Sequence, residues 1–236
     1  FEKKFAGSRA RLVFDFDDAI WNHDVSEANR KFGWLKDPGK TSRIIALSDL
    51  IIAGNQYLAD YALKFNSNVV IIPTTIDTNE YRAINTSKKQ NKIVIGWSGS
   101  ITTIRHFEIA VPFLRKLQGK YGDHLEFKVI GDGNYRNEEL GIIGLPWKKE
   151  DELKELSTFD IGIMPIPDDD WSKGKCGLKG LQYMALEIAT VMSPVGVNSV
   201  IIKDGVNGFL ASGVDEWVEK VSLLVDDAVL RKRLGM

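Results

Sequence analysis

The chain contains the stretch Lys173-Gly-Lys-Cys-Gly-Leu-Lys-Gly-Leu-Gln-Tyr-Met-Ala185, which leads into Thr190-Val-Met-Ser-Pro-Val-Gly-Val197. This pattern predicts a loop rich in glycine and lysine, then a short helix, a buried strand and a tight turn. At a helix N-terminus, free N–H groups and the helix dipole favour an anion, glycines let it approach, and lysines add full charge. A solvated basic loop would have the same local composition, so the rest of the chain has to distinguish these interpretations.

Composition and charge exclude several classes of protein. The 236 residues are 44% hydrophobic and 27% charged, which is typical of globular proteins and argues against disorder. The net charge is −1, so no overall field attracts nucleic acid or an anionic membrane, and nucleic acid is not an expected partner. Cys176 is the single cysteine, which excludes an intrachain disulfide framework and suits a reducing cytoplasm. These residues include no signal-peptide pattern and no apolar run long enough to span a bilayer.

Apolar runs alternate with helical patterns along the first part of the chain, which predicts βαβ units. The predicted strands lie within residues 10–21 and at 50–53 and 69–72. The predicted helices lie at residues 26–30, 42–47 and 55–64. Asn55 is the predicted N-cap of the last helix, and residues 33–41 are predicted to be a loop.

The same alternation restarts after residue 92. The predicted strands are residues 93–97, 125–130, 160–165 and 209–211, together with the buried strand that begins near Thr190. The predicted helices are residues 106–121, 151–157, 199–203 and 214–236, together with the short helix that begins near Leu178. This order predicts a second Rossmann-like unit with a parallel sheet.

Residues 85–91 are polar and have no apolar period, and we interpret them as a linker between domains. The expected organisation is a partial N-terminal, acceptor-side domain at residues 1–84 and a C-terminal domain at residues 92–236. Because the chain starts at Phe1 and stops at Met236 inside a helical pattern, we expect both ends to be cut from something longer.

Leu12-Val-Phe-Asp-Phe-Asp17 places two carboxylates, Asp15 and Asp17, at the end of an apolar run. Haloacid-dehalogenase-type phosphatases have a nucleophilic Asp and an acid/base Asp in this arrangement, around Mg²⁺. Gly131-Asp-Gly133 resembles their later acidic motif. Against this interpretation, Asp18-Ala19 follows where that family favours a small residue and then Thr or Val. A single short motif is weak evidence, so the phosphatase stays an alternative.

Six short motifs of residues 92–236 occur together in one order. They are Gly96-Trp-Ser-Gly-Ser-Ile-Thr-Thr103, Val129-Ile-Gly-Asp-Gly133, Phe159-Asp-Ile-Gly-Ile-Met-Pro-Ile166, Gly174-Lys-Cys-Gly-Leu-Lys-Gly-Leu-Gln-Tyr-Met-Ala185, Ser193-Pro-Val-Gly196 and Asp204-Gly-Val-Asn-Gly-Phe-Leu210. With them, this region resembles the C-terminal, donor-binding domain of a glycosyltransferase of family 4, which has the GT-B fold. Residues 10–82, with Ile72-Pro-Thr-Thr-Ile-Asp77, resemble the latter part of the N-terminal domain. The resemblance therefore implies an α/β, GT-B-like fold of two Rossmann-like parallel-sheet units, the N-terminal one incomplete.

The resemblance also implies residues for two tasks. The residues expected to bind the phosphates, nucleoside or sugar of a nucleotide-sugar donor are Gly99, Ser100, Thr102, Arg105, Gly131, Asp132, Gly133, Leu145, Trp147, Lys173, Cys176, Gly177, Leu178, Lys179 and Gln182. The residues expected to act in catalysis are Asp17, Asp18 and Lys175. Asp17 stands where the family often has a histidine, and Asp17 or Asp18 would orient the acceptor or balance the oxocarbenium charge.

The sequence departs from the family's pattern at three places. Gly174 and Gln182 replace two glutamates that usually touch the sugar and the ribose. Trp97 replaces the usual arginine after the first strand, so the loop lysines or Arg105 would have to neutralise the diphosphate. Glu187-Ile-Ala189 stands where Gly-x-Pro usually ends the helix.

Ordinary structural roles compete with several of these assignments. Trp97 and Trp147 are also explained as packing residues, and Cys176 as a small buried side chain. Asp168-Asp-Asp170 is either a solvated acidic loop or a substitute for the missing first glutamate. The three histidines are scattered and do not have the spacing of zinc ligands, so no metal site is expected. The histidines are His23, His106 and His124.

The resemblance implies a retaining, metal-independent hexosyltransferase. It would move a sugar from a nucleotide-diphosphate donor to a glycan or lipid-linked acceptor in cell-surface polysaccharide synthesis, with no cofactor. The expected location is the cytoplasm, and peripheral association with the inner face of the cell membrane is left open. Besides the phosphatase, a non-catalytic nucleotide-binding scaffold is an alternative, because the first glutamate of the pair is missing.

Overall fold

The structure is a computed structural model that describes residues 9–22, 37, 39–84 and 92–236. The predicted helix at 26–30 and the predicted linker at 85–91 lie outside these residues, and the linker stays a prediction. The chain forms two compact units. Unit 1 takes the described residues up to Thr74, Asp168–Gly177 and Val195–Val197, and unit 2 takes Thr75–Pro167, Leu178–Pro194 and Asn198–Met236.

Most predicted strands are confirmed, with bounds that differ by a residue or two. The strands are β1 (Val13–Phe16), β2 (Leu50–Ala53), β3 (Val69–Ile71), β4 (Ile93–Ser98), β5 (Leu125–Gly131), β6 (Arg136–Asn137), β7 (Ile142–Ile143), β8 (Leu145–Pro146), β9 (Ile161–Met164), β10 (Ala189–Met192) and β11 (Phe209–Leu210). The short strands β6, β7 and β8 were not predicted, because two residues carry no period.

The α-helices are α1 (Gly39–Leu47), α2 (Gln56–Ala62), α3 (Ile104–Glu108), α4 (Val111–Tyr121), α5 (Lys149–Leu156), α6 (Asp170–Lys173), α7 (Leu178–Ala185), α8 (Asn198–Ile201), α9 (Gly213–Asp226) and α10 (Ala228–Gly235). Short 3-10 helices lie at Ile101–Thr103 and Gly122–His124. In the part of the chain that the structure describes, none of the helices combines the length and apolarity that crossing a bilayer requires.

Unit 1 is built on a parallel sheet in which β2 lies between β1 and β3. Apolar side chains of β1, β2, α1 and α2, among them Phe16, Ile45 and Ile51, form its core. Successive side chains of a strand point to opposite faces, so Asp15 is exposed while its neighbour Phe16 is buried. The helix α1 begins at Gly39, so the loop predicted at residues 33–41 is wrong at its end.

Unit 2 contains a parallel sheet whose described strands follow the order β11-β10-β9-β4-β5-β8. The chain proceeds from β4 to β5 and β8 on one side, and then returns to β9 on the other side of β4. In open α/β sheets, ligands bind at the carboxyl edge where the strand order reverses in this way. The loop that follows β4, which begins at Gly99, therefore stands at the expected binding position of unit 2.

The single helix predicted at residues 106–121 is wrong. A 3-10 turn at Ile101–Thr103, the helix α3 and the helix α4 occupy this region, and the chain breaks between α3 and α4 at residues 109–110. Pro112 lies in the first turn of α4 and has no backbone N–H, so it cannot donate to the carbonyl of Glu108 as a continuous helix would require.

The single helix predicted at residues 214–236 is also wrong, because α9 and α10 are separated at Asp227. Asp227 has extended backbone angles, and its carboxylate accepts hydrogen bonds from the N–H groups of Val229 and Leu230. An aspartate that caps a helix N-terminus in this way competes with helix continuation.

The helix α7 ends without the Gly-x-Pro of the family pattern. Glu187 adopts the left-handed conformation that glycine usually supplies, with φ of 58°. The N–H of Ile188 donates to the carbonyl of Tyr183 at 3.0 Å, which closes the helix end. A Cβ on Gly235 would lie 2.3 Å from the carbonyl oxygen of Glu187, so α10 packs closely against this turn.

Candidate functional site

Two glycines meet at the carboxyl edge of the unit 2 sheet. The N–H of Gly99 donates to the carbonyl of Ile130 at 2.8 Å, which continues the pairing of β4 with β5. Gly131 has φ of 145°, and a Cβ on it would lie 2.7 Å from the carbonyl oxygen of Gly99. A Cβ on Gly99 would lie 2.0 Å from the Trp97 ring. The two loops therefore approach each other backbone to backbone, and side chains are excluded from the gap.

Tyr183 fixes the start of the loop that follows β4. Its hydroxyl accepts a hydrogen bond from the N–H of Ser98 at 2.8 Å and lies 3.1 Å from the Ser98 hydroxyl. Complete burial raises the pKa of Tyr183 to about 12, although the hydrogen bonds with Ser98 act in the opposite direction. The helix α7 is thereby tied to β4 by neutral groups. Tyr183 has no functional signal in the sequence, since a tyrosine in an apolar helix face is typical of a core.

Hydroxyl groups cluster on the loop after Gly99. The Ser100 hydroxyl lies 2.9 Å from the Thr102 hydroxyl, and the N–H of Ser100 donates to the Thr103 hydroxyl at 2.9 Å. The N–H of Thr103 donates to the carbonyl of Ser100 at 2.9 Å, which closes the 3-10 turn. Ser100, Thr102 and the following Arg105 are exposed, so polar hydrogen donors and a positive charge face solvent here.

The turn after β5 brings a further loop to the same edge. The Asp132 carboxylate accepts a hydrogen bond from the N–H of Asn134 at 2.8 Å, which fixes the turn. Leu145 of β8 pairs with Ile130 of β5, and a Cβ on Gly133 would lie 3.2 Å from the Pro146 ring. The residues predicted near the nucleoside, 131–133, therefore adjoin the loop that carries Leu145 and Trp147.

Four polar side chains of unit 2 form one hydrogen-bonded network beside that loop. Glu152 on α5 accepts from the Trp147 indole N–H at 2.8 Å and from the Tyr81 hydroxyl at 2.5 Å. The Gln182 amide donates to the Tyr81 hydroxyl at 3.1 Å and to Glu152 at 3.3 Å. Gln182 is only 6% exposed, so its N–H donors are already used within the protein. Glu152 and Tyr81 belong to none of the sequence motifs, so their part in this network was not predicted.

In unit 1, the Asn55 side chain forms hydrogen bonds with the loop that follows α6. Its side-chain oxygen accepts from the N–H of Leu58 and caps α2, which confirms the predicted N-cap. Its amide nitrogen lies 3.1 Å from the carbonyl of Gly174 and 3.2 Å from the carbonyl of Lys175. The same residue therefore caps the start of one helix and positions a segment about 120 residues later in the chain. The cap is visible in the sequence as an asparagine before an apolar helical pattern, whereas the second contact has no sequence signal.

Gly174 leaves no room for the glutamate that the family pattern has at this position. A Cβ on Gly174 would lie 2.8 Å from the backbone nitrogen of Ala19. This close approach brings Asp18 next to the loop, where its carboxylate accepts from the Lys175 ammonium at 2.8 Å. The ammonium also lies 4.8 Å from the centre of the Trp171 ring. Two of the residues expected to act in catalysis are thus an ion pair.

Cys176 packs inside unit 1. Its thiol donates to the carbonyl of Asp17 at 3.2 Å, and a Cβ on Gly54 would lie 2.5 Å from the sulfur. Burial raises the pKa of the Cys176 thiol to about 11, with the carboxylates of Asp17 and Asp18 acting in the same direction. The thiol is therefore protonated at neutral pH, and the packing interpretation explains this residue.

The acidic run before the loop has structural contacts of its own. Asp169 caps α6 by accepting from the N–H of Ser172 at 2.7 Å. The Lys173 ammonium lies 3.4 Å from Asp168 and 3.9 Å from Asp170. All three aspartates are exposed, and two of them, Asp168 and Asp170, hold Lys173 in a local ion-pair network. Across the described ranges, no group of three or more His, Cys, Asp and Glu side chains is placed to hold a metal ion.

The structure thus brings the expected donor-binding residues of unit 2 to one sheet edge and its adjoining helix. It brings the expected residues of unit 1 together around a second loop: Asp17, Asp18, Lys173, Lys175 and Cys176. Gly177 has φ of 74° and ends that loop, and α7 begins at Leu178, which is 45% exposed. Lys179 lies in the first turn of α7.

The chain has two units with parallel sheets, one of them with a glycine loop at its switch point, and similar solved structures confirm that this is the GT-B fold of glycosyltransferases. The sequence profile of the glycosyl transferases group 1 family matches residues 92–227, which is more than half of the chain. The chain belongs to the glycosyl transferases group 1 family. A search of curated proteins finds no match.

The similar solved structures share the fold at low sequence identity. Anabaena HepE in complex with UDP and glucose has a TM-score of 0.73 and 13% identity, covering 99% of this chain and 67% of HepE. TarM has a TM-score of 0.72 and 13% identity, covering 97% of this chain and 46% of TarM. Sucrose-phosphate synthase from Thermosynechococcus elongatus has a TM-score of 0.65 and 12% identity, covering 94% of this chain and 60% of the synthase. The chain therefore spans about half of TarM and about two thirds of HepE.

Proposed function

We propose that the protein transfers a sugar from a nucleoside-diphosphate donor to a glycan or lipid-linked acceptor, without a metal and with retention of the anomeric configuration. Membership of the group 1 family supports glycosyl transfer. Solved structures of the same fold support the donor class, since HepE is described in complex with UDP-glucose. A TarM mutant from S. aureus is described in complex with Fondaparinux, alpha-GlcNAc-glycerol and UDP, which supports a glycan acceptor and a role in polysaccharide synthesis.

The backbone apposition of Gly99 and Gly131 is the observation that carries the donor-binding part of this proposal. Because no side chain intervenes, a ligand can approach the peptide groups at this edge, and the Ser100 and Thr102 hydroxyls lie next to them. A diphosphate needs several hydrogen-bond donors at short range, and the exposed hydroxyls of Ser100 and Thr102 offer donors at this edge. We assign this edge to the donor phosphates.

The chemical step requires charge neutralisation at the leaving group. As the glycosidic bond breaks, negative charge grows on the departing diphosphate, and fixed positive groups stabilise the transition state. Lys175 is the residue we assign to this task, with Lys173 and Arg105 as further cations. Asp18 accepts from Lys175, so we assign it to holding the ammonium in place. Asp17, which is exposed after β1, is then the carboxylate available to orient the acceptor hydroxyl.

The resemblance to family 4 supports two further parts of the proposal. In retaining members the leaving phosphate itself helps to deprotonate the incoming hydroxyl, which would make a separate base unnecessary. Synthesis of a surface polysaccharide from a nucleotide sugar would place the protein in the cytoplasm, with the acceptor at the inner face of the cell membrane.

A thermal-shift panel of UDP, GDP, ADP and inorganic phosphate, with and without Mg²⁺, tests the donor-binding part. A ligand that binds only the folded state raises the unfolding midpoint. We expect one nucleoside diphosphate to raise it without Mg²⁺, and Lys175→Ala to reduce the effect. Lys116→Ala is the matched control, because Lys116 forms an exposed ion pair with Asp215 in unit 2 and takes no part in the proposal.

Turnover of the corresponding sugar nucleotide, followed by release of nucleoside diphosphate in the presence of glycan acceptors, tests the transfer itself. Asp17→Asn should reduce turnover and leave nucleotide binding intact. Binding without transfer or hydrolysis would indicate the scaffold alternative. A midpoint shift that requires Mg²⁺ and also occurs with phosphate alone would favour the phosphatase alternative, which the similar structures named above do not support.

A further inference from the structure

We propose that Glu152 is a positioning residue for the nucleoside half of the donor, and that it acts by orienting the Trp147 ring and the Gln182 side chain. This inference rests on the proposed function, and it concerns residues of unit 2 alone. Glu152 lies outside every motif that carries the family resemblance.

The negative charge in this hydrogen-bonded network belongs to Glu152, which lies on α5. The Gln182 amide is 6% exposed and donates to Glu152 and Tyr81. Glu152 is the carboxylate that the Gln182 amide contacts. A carboxylate of α5 is therefore joined to a side chain of α7 within unit 2.

Glu152 also fixes the orientation of an aromatic ring. The Trp147 side chain is 49% exposed, yet its indole N–H donates to Glu152 at 2.8 Å. A half-exposed tryptophan without such a bond would rotate among its rotamers, and binding a ligand would have to suppress that freedom. With the N–H held on one side, the exposed part of the ring faces solvent in one orientation, which suits stacking against a planar base.

The remaining contacts make Glu152 the centre of the network. The Tyr81 hydroxyl donates to one carboxylate oxygen, and the Trp147 and Gln182 groups donate to the other. Burial raises the pKa of Tyr81, and its hydrogen bond with Glu152 acts in the same direction, so Tyr81 stays a donor throughout the neutral range. Three donors that converge on one carboxylate restrict it to a single orientation.

The location of the network identifies the part of the donor that it serves. Trp147 follows β8, whose Pro146 pairs with Gly131 at the carboxyl edge of the sheet. The apposed glycines at this edge are assigned to the phosphates, and Trp147 lies on the next loop outward. A planar heteroaromatic ring with hydroxyl groups beside it is the chemistry that a tryptophan face and a carboxylate network recognise.

Calorimetric titration with two probes, UDP and inorganic pyrophosphate, separates positioning of the nucleoside from general support of the fold. The variants are Glu152→Ala and, as the matched control on the same helix, Glu150→Ala. Glu150 is an exposed glutamate of the first turn of α5. We expect Glu152→Ala to weaken UDP binding about tenfold, as for the loss of one charged hydrogen-bonding centre, and to leave pyrophosphate binding within about twofold. Glu150→Ala should change neither.

A double-variant cycle with Trp147→Phe tests whether Glu152 acts through the indole. Phenylalanine keeps an aromatic face and removes the N–H donor, so Glu152→Ala should weaken UDP binding less in the Trp147→Phe background than in the wild type. A parallel loss of UDP and pyrophosphate binding, unchanged UDP binding in a folded Glu152→Ala protein, or fully additive effects would each overturn the inference. Absence of nucleotide binding by the wild-type protein would instead overturn the proposed function.

Discussion

The two glycine-containing loops of the molecule are stabilised in opposite ways. In unit 2, neutral and buried groups fix the edge, because Tyr183 accepts from Ser98 and Gly131 fits directly against Gly99. In unit 1, a partly exposed ion pair holds the loop, since the side chains of Lys175 and Asp18 are 21% and 34% exposed. Buried neutral hydrogen bonds are insensitive to salt, whereas a partly exposed ion pair is screened. The loop of unit 2 is therefore held mainly by neutral packing, and the loop of unit 1 is held partly by charge.

The largest expected effect is on the fixed edge of unit 2. Gly131→Ala places a Cβ 2.7 Å from the Gly99 carbonyl at a φ of 145°, so the two loops have to separate. We expect a loss of about 2–4 kcal/mol in the free energy of unfolding, measured by urea titration, because both overpacking and backbone strain apply. Nucleotide binding should also be lost.

The control for that variant is Gly119→Ala. Gly119 lies in α4, and a Cβ there would meet no atom within 4 Å. Alanine in a helix interior should stabilise the protein by about 0.5–1 kcal/mol relative to glycine. Equal stability of the two variants would show that the Gly99–Gly131 contact is looser than described.

The next largest effect is expected from Tyr183→Phe, which leaves the N–H of Ser98 buried without its acceptor. The free energy of unfolding should fall by about 1–2 kcal/mol. The variant also changes how the free energy of unfolding depends on pH in the alkaline range. The pKa of Tyr183 is raised from 10.0 to about 12 by burial, so between those values the unfolded state loses its proton first and stability falls as pH rises.

Chemical denaturation of the wild type and of Tyr183→Phe, followed across the alkaline range, measures this effect. The variant should have the shallower dependence on pH, because phenylalanine does not titrate. A pH dependence identical to that of the wild type would assign the alkaline loss of stability to other tyrosines.

A smaller and opposite effect is expected at the end of α7. Glu187 holds a left-handed conformation, and glycine adopts it without a steric penalty. Glu187→Gly should therefore raise the free energy of unfolding by about 1 kcal/mol, after subtraction of the greater entropy of glycine in the unfolded chain. Differential scanning calorimetry measures the shift in Tm. Destabilisation would mean that the exposed glutamate side chain makes a contact worth more than the strain.

The smallest effect is expected at the ion pair of unit 1. Asp18→Asn removes the negative partner of Lys175 and should lower the free energy of unfolding by less than about 1 kcal/mol. The difference from the wild type should shrink as salt is raised, in contrast to the Tyr183→Phe difference, which should persist. Denaturant titrations at low and high ionic strength make this test. A large, salt-independent loss would contradict the division between charged and neutral loops.

The sequence predicted the strands and the fold class because their signals are local. The strands β2, β4 and β5 are apolar runs ended by polar or glycine residues, and Asn55 caps α2 as expected. The two long helices were predicted wrongly because single residues, Pro112 and Asp227, outweighed an amphipathic period. A single residue that interrupts a helix is easily overlooked when the apolar period continues on both sides of it.

The candidate site was predicted only in part, because its supporting contacts join distant residues. The motifs identified the glycines and the loop lysines directly. The partners that position them, Tyr183 for Ser98 and Asn55 for the loop at Gly174, are visible only when the chain is folded. Glu152 gave no signal at all, since a glutamate in the first turn of a helix is explained by the helix dipole.

The contacts of Asn55 also bear on the order in which the chain is completed during synthesis. The carbonyls that its amide binds belong to residues 118–120 positions later. Synthesis proceeds at about 5–20 residues per second, so the partners of this amide emerge from the ribosome roughly 6 to 24 seconds after Asn55 does. A nascent chain halted before Asp168 would thus carry the strands of unit 1 without the segment that covers Gly54 and Asn55. Unit 1, whose synthesis begins first, is therefore completed only by residues that are synthesised later.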